Sequence, residues 1–268
     1  MDFENLQYAA KILFGMNPMM LSSAILIVSY IILFTEKLNR AVVALLGASV
    51  MIFTGILTQE TAIQGIDFNT LALLIGMMII IGISARSGMF TYIAIWTVKK
   101  VKANPRKLLI ALAAITAIFS AFLDNVTTVL LIVPITFQIT QKLKINPYPY
   151  LMVEIFASNI GGTATLIGDP PNILIGSALN LSFMDFANEL TPVVIITMIA
   201  LIIGYDFIWG RHIKTSKENQ ESVLSLKATT YVKDRLLLKK SCFVLALVIA
   251  GFMLAEHLHI ANGTIAIV

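Results

Sequence analysis

Apolar residues in this chain gather in long runs instead of alternating with polar ones. A helix of roughly 17–25 apolar residues crosses a bilayer. Runs at 19–35, 41–58, 70–86, 191–210 and 241–256 therefore predict transmembrane helices. Between 107 and 181 the pattern breaks. An apolar stretch over 108–123 meets Asp124-Asn125, and a second, 126–140, follows at once. A third, 150–181, is interrupted by GGTATLIGDPPN at 161–172. Segment 88–98 is too short to span after Arg86 and reads as an interfacial helix, with Tyr92 and Trp96 at headgroup level. Residues 1–17 lack a basic region followed by an apolar core, so no cleavable signal is expected. They read as a short amphipathic stretch at the interface. The longest polar segment, 211–240, reads as a cytoplasmic connector.

Composition agrees. The 268 residues are 58% hydrophobic and 13% charged, with a mean hydropathy of +0.88. Soluble domains carry about 25% charged residues. This excludes an ordinary soluble enzyme and a disordered tail. It also removes nucleic acid as a partner despite a pI near 9.1, and leaves membrane lipid as the environment. One cysteine, Cys242, excludes a disulfide framework and reads as plain packing. Glu256, His257 and His259 are spaced wrongly for one helix face to hold a metal. No cofactor is expected.

Charge sets the direction of threading. Of the 19 Lys and Arg residues, all but Lys11 fall in the segments after the first span, after the third, after 140, and in 211–240. The stretches 59–69 and 182–190 read as loops; they carry Glu60, Asp67, Asp185 and Glu189 and no basic residue. The positive-inside rule makes the basic side cytoplasmic and the N-terminus external. The count closes only if 107–140 enters from the cytoplasm and returns to it. Parity does not separate two full spans from a re-entrant hairpin. The polar pair at the turn favours the hairpin, which is permitted where it lines a protein cavity.

The chemistry gathers at the two breaks. Asp124 or Asn125 can cap the helix that follows, and Thr127 and Thr128 add hydroxyls to the same turn. Gly161-Gly162 can close one half-helix in the left-handed conformation. Asp169 can cap the next, with Pro170 at its first position. Helix ends inside a membrane offer unpaired N–H and C=O groups to ions and solutes. An intramembrane Asp costs roughly 2.5–3.5 kcal/mol on insertion scales, so two of them point to cation or proton handling. Glu154 reads as an interfacial residue, and Asp206 as a residue snorkelling from a span end.

At Asp124-Asn125-Val126-Thr127-Thr128 and at Ser158–Asn172 (SNIGGTATLIGDPPN) the chain resembles the ion transporter superfamily. The likeness is to its arsenite permease/sodium–proton antiporter/P protein (ArsB/NhaD) group, over the N-terminal half. The resemblance implies an inverted-repeat carrier with a re-entrant helical hairpin and a broken transmembrane helix in each repeat. It divides this chain into a first repeat (1–210, with hairpin 107–140 and broken helix 150–181), a connector (211–240) and the start of a second repeat (241–268). The chain then reads as a truncated carrier. The resemblance carries ion- and substrate-binding roles to Asp124, Asn125, Thr127 and Thr128 at the tip. In the loop it carries them to Asn159, Gly161, Gly162, Thr163, Thr165, Gly168, Asp169 and Asn172. Na⁺ would sit by Asp124, Asn125, Gly162 and Asp169. It also implies a homodimer in the plasma (inner) membrane.

Related sodium/dicarboxylate symporters have Ser-Asn-Thr at the tip and Gly-Thr-Pro-Pro in the loop. Here Asp124 and Asp169 add a carboxylate to each. Two negative charges oppose a dianion in a low-dielectric cavity. The expected function is therefore secondary transport of an ion or small inorganic solute coupled to H⁺ or Na⁺, of the arsenite/antimonite efflux or Na⁺/H⁺ antiport type. The alternatives are a citrate or dicarboxylate symporter of the same superfamily, or an anion or cation channel. An intramembrane aspartyl protease fits poorly, because Tyr205-Asp206 follows Gly168-Asp169 instead of preceding it.

Overall fold

A computed structural model describes residues 17–179, 181–258 and 260–268, without the side chains of Glu256 and His257. The amphipathic stretch expected at the N-terminus and the Glu256/His257/His259 cluster lie outside what is described, save Asn17. Every regular element among the described residues is a helix. The chain forms two compact units, dividing at Asp67/Phe68.

In the first unit, α1 (Pro18–Phe34) and α2 (Arg40–Phe53) are capped by Asn17 and Asn39, whose side chains accept from Met19 N and Ala41 N. A short α3 (Gln59–Gln64) follows. α1 and α2 are apolar helices of 17 and 14 residues, and most of their large side chains are exposed.

The second unit contains α4 (Phe68–Arg86), α5 (Met89–Lys100), α6 (Pro105–Ser120), α7 (Asn125–Leu143), α8 (Tyr148–Gly162), α9 (Pro170–Leu179), α10 (Phe183–Tyr205), α11 (Lys217–Leu224), α12 (Arg235–Leu258) and α13 (Asn262–Ile267). Four stretches are long and apolar enough to cross a membrane: Phe68–Arg86, Asn125–Leu143, Phe183–Gly210 and Arg235–Ala255. Exposed Ile79, Leu130, Ile196, Ile203, Phe243 and Leu247 on these helices fit a lipid-facing surface.

α10 begins earlier than the apolar run suggests. Residues 182–190 are not a loop. Ser182 and Asp185 form a reciprocal capping box, with Asp185 N donating to Ser182 Oγ at 3.1 Å and Ser182 N to Asp185 Oδ2 at 2.9 Å. That arrangement satisfies two otherwise orphaned N–H groups and starts the helix at Phe183.

The core of this unit is built on α6 and α8, which run side by side in the same direction. Tyr150 Oη donates to the Pro105 carbonyl at 2.9 Å near their starts. Near their ends, Gly161 lies against the backbone of Ala117. The starts of α6 and α8 meet the ends of α7 and α10. Arg106 on α6 forms a two-pronged ion pair with Asp206, Nε to Oδ1 and Nη2 to Oδ2, both at 2.6 Å. Arg211 adds a contact at 3.6 Å. Asp206 is thus an ion-pair partner and does not merely snorkel. A π-helical turn, Asp206–Gly210, ends α10 there.

The connector is docked. Thr215 Oγ1 and Asn219 Nδ2 both donate to the Leu143 carbonyl, at 2.6 and 3.2 Å. Val223 on α11 is buried in the core. α5 buries Phe90, Ala94, Ile95 and Val98 in protein, while Trp96 stays half exposed beneath Lys100 Nζ, 4.8 Å from its ring centroid.

Candidate functional site

The helices that start together at the basic end also stop together. α6 ends at Ser120 and α8 at Gly162, and the connections that follow them touch. Residues 121–124 turn the chain into α7, and residues 163–169 separate α8 from α9. Thr165 Oγ1 donates to the Ala121 carbonyl across this junction. Asn125 Nδ2 donates to Asn159 Oδ1 at 2.9 Å, joining α7 to the last turn of α8. Gly168 packs so tightly that a Cβ there would lie 2.3 Å from the Gly162 carbonyl oxygen and 2.7 Å from that of Ser120.

The turn is held by its own polar residues. Asp124 has extended backbone angles, and its Oδ1 accepts from Thr127 N at 2.8 Å. That caps α7 and satisfies one of its free N–H groups. Pro170 opens α9, and the Asp169 carbonyl accepts from Asn172 N at 3.0 Å. The Asn172 side chain is buried and donates twice, to the carbonyls of Gly162 at 3.1 Å and Thr165 at 3.0 Å. It bridges the end of one half-helix to the gap before the next.

The charge distribution is one-signed. The Asp124 and Asp169 carboxylates lie within electrostatic range of each other. Each salt bridge among the described residues lies elsewhere. Asp124 also lines a small cavity with Leu73, Met77, Phe122, Ile167 and Ile173. A larger cavity of about 490 Å³ shares Leu73 and Ile173 with it and is faced by Asn69, Ser177, Ser182 and Asn262. The described residues hold no group of three His, Cys, Asp or Glu side chains suited to a metal.

Most of the expected site residues come together here: Asp124, Asn125, Asn159, Gly161, Gly162, Thr165, Gly168, Asp169 and Asn172. Thr163 does not join them through its side chain, which is exposed and donates back to the Asn159 carbonyl at 2.9 Å. Thr127 contributes its backbone N–H to the cap. Thr128 is buried on α7 with an unpartnered hydroxyl.

The glycines act differently from expectation. Neither Gly161 nor Gly162 has a positive φ. What Gly161 supplies is proximity, since a Cβ there would sit 2.2 Å from the Ala117 carbonyl oxygen. Small residues let helix backbones approach where no water drives them together.

Glu154 also lies elsewhere than its sequence position suggests. It is fully buried, not interfacial, and accepts from Thr136 Oγ1 at 2.5 Å.

The family described as "Citrate transporter", CitMHS, matches residues 30–268, almost nine-tenths of the chain. The chain belongs to the CitMHS family. Its likeness to the ion transporter superfamily therefore holds, and the protein is an integral membrane protein. An uncharacterized transporter of Mycobacterium tuberculosis is 40% identical over 247 residues, 91% of this chain and 57% of the relative. The human P protein is 34% identical over 223 residues, 79% of this chain and 26% of the relative. Magnetosome protein MamN of Magnetospirillum gryphiswaldense is 29% identical over 250 residues, 91% of this chain and 57% of the relative. The chain spans little more than half the length of the bacterial relatives it matches. The description of the family and the name of the Mycobacterium tuberculosis relative are those of transporters.

The Asn172 bridge gives a direct test of how the break is held. Leaving a buried carbonyl unpaired costs about 1–3 kcal/mol. Asn172→Leu leaves those of Gly162 and Thr165 without their side-chain donor. The midpoint of thermal unfolding in detergent is expected to fall by several degrees, whereas Pro171→Ala, at an exposed neighbour, leaves it unchanged. An unchanged midpoint in Asn172→Leu would mean that the break holds without the bridge.

Proposed function

We propose that the protein is a secondary active transporter that moves an ion or small inorganic solute coupled to H⁺ or Na⁺. Its binding site is the junction of the α6–α7 turn with the α8–α9 break. The observation that carries this reading is the meeting of a helical turn and a helix break, each bearing a carboxylate without a basic partner among the described residues.

Length supports the re-entrant reading. At about 1.5 Å per residue, the 16 residues of α6 extend about 24 Å. The hydrocarbon core is about 30 Å thick. Starting from the basic, cytoplasmic end, α6 and α8 stop inside the membrane. Free N–H groups at the starts of α7 and α9 and carbonyls at the end of α8 are then available to a solute. Asp124, Asn125, Gly162 and Asp169 supply oxygen donors for Na⁺. The Gly162 carbonyl already accepts from Asn172, which leaves it one lone pair for an ion. In this reading the external N-terminus follows the positive-inside rule, the plasma membrane location and a homodimer follow the family resemblance, and a second, inverted repeat completes the site.

The family description favours a second reading, citrate transport. A tricarboxylate entering beside Asp124 and Asp169 requires cations that offset both carboxylates.

The protein expressed from its full reading frame and reconstituted in proteoliposomes decides between them. Saturable movement of radiolabelled Na⁺ or of protons, obligatorily coupled to a second gradient, is expected. Radiolabelled citrate uptake, with cations moving only when citrate is present, would replace the first reading with the second. Unsaturable flux that follows voltage alone would identify a channel and end both.

A further inference from the structure

Away from the junction, the same helices enclose an acid that the site does not use. Glu154 is fully buried on α8, which packs on α6, α7 and α10. Its Oε1 accepts from Thr136, and its Oε2 is enclosed with no hydrogen-bond partner among the described residues. The neighbouring helices offer it no counter-charge. On α6, Arg106 is engaged by Asp206 at the end of α10, and Lys107 is exposed. On α7, Lys142 lies near the far end and Asp124 caps the start. On α10, Asp185 is engaged by Ser182, and Glu189 lies in the second turn, at the end of the helix remote from Asp206. The hydroxyl of Tyr150, one turn before Glu154, is spent on the Pro105 carbonyl. Tyr205 packs its ring on Phe156 and Trp209.

Thr136 is one of several buried hydroxyls on α6, α7 and α8. Thr128, Thr136 and Thr140 recur at spacings of eight and four on α7, Thr116 and Ser120 four apart on α6, and Ser158 four after Glu154 on α8. Such spacing keeps each set on one helix face. The hydroxyls of Thr116, Ser120 and Thr128 also lack partners among the described residues. Ser120 ends the row at the junction, its Oγ 3.2 Å from where a Cβ on Gly162 would stand. Unpartnered buried polar atoms mark a place for water or an ion. An ionised carboxylate removed from water without a counter-charge is strongly disfavoured. A proton on the carboxyl removes the charge without needing a basic side chain.

We propose that Glu154 takes up and releases a proton inside the α6–α7–α8 packing, at a site separate from Asp124 and Asp169. In the carrier reading, on which this consequence rests, that makes H⁺ a coupled ion. The protonation itself is read without any transport.

The protein from its full reading frame, in lipid nanodiscs, gives the test by infrared difference spectroscopy between neutral and alkaline pH. The carbonyl band of a protonated carboxylic acid is expected at neutral pH, sensitive to deuterium and lost on alkalinisation. It disappears in Glu154→Gln and persists in the double variant Asp124→Asn/Asp169→Asn. Isotope-labelled glutamate shifts the band in the unsubstituted protein, which assigns it to a glutamate independently of how the variant folds. A band that ignores the label, or spectra with no protonated-acid band at all, overturns the proposal. So does a carboxylate band that answers to added NaCl at constant pH and is missing in Glu154→Gln, since Glu154 would then hold a metal cation. Loss of flux in proteoliposomes with the glutamate band intact would instead remove the carrier reading and leave this site standing.

Discussion

Replacing either junction carboxylate by its amide, Asp124→Asn or Asp169→Asn, is expected to abolish ion-coupled flux while membrane insertion and helix content stay at wild-type levels. The structure separates charge from scaffold at these positions. Asn caps a helix as well as Asp does, so Asp124→Asn keeps an acceptor for Thr127 N. Asp169 contributes its backbone carbonyl to the first turn of α9, which the substitution leaves untouched. What each variant loses is a negative charge in a low-dielectric junction where the two carboxylates feel each other. A loss of at least about 1.4 kcal/mol of ion binding corresponds to tenfold in affinity. A pair of charges serving one ion acts as a unit, so the double variant is expected to be no worse than either single one. Coupled flux in reconstituted vesicles, with circular dichroism of the same preparations, checks both halves. Wild-type flux in both single variants would take the carboxylates out of the mechanism.

How much of this was legible in the sequence depends on how local each feature is. Asp124-Asn125 and the Gly161–Asn172 stretch mark a turn and a break because caps, prolines and glycines act within a few residues of themselves. The structure places both where the pattern does, at α7 and between α8 and α9. The start of α10 was also legible, since Ser182 followed by Asp185 three residues on is a capping signature. The acidic residues Asp185 and Glu189 made it read as a loop.

Long-range features left no such mark. Arg106 and Asp206 are 100 residues apart, and nothing near either names the other. Gly161 looked like a helix terminator because a glycine pair ends a run. Its actual neighbour, Ala117, belongs to a helix that runs parallel to its own. Glu154 looked interfacial because it follows a basic segment closely. Its burial comes from the packing of α6, α7 and α10 around α8, which no hydropathy pattern along α8 reveals.

The parallel contact of α6 with α8 makes Gly161→Val the substitution expected to damage the fold most. A first side-chain carbon at Gly161 would meet the Ala117 oxygen at 2.2 Å, its Cα at 2.5 Å and its carbonyl carbon at 2.6 Å. All three are backbone atoms, so no rotamer change relieves the clash and the helices must separate. Overpacking a core typically costs about 1–3 kcal/mol, and a clash with rigid helix backbone belongs at or above the top of that range. Separation would also carry the end of α8 away from the turn after α6, breaking the Thr165–Ala121 hydrogen bond that joins the two connections. The variant should lose its monodisperse peak on size exclusion in detergent, or unfold many degrees lower. Gly204→Ala, where no atom lies within 4 Å of the added carbon, should behave as wild type. A second-site test is sharper. Ala117→Gly removes a methyl but none of the three clashing atoms, so it should fail to rescue Gly161→Val. Rescue would mean that side chains, not backbones, set the distance between α6 and α8.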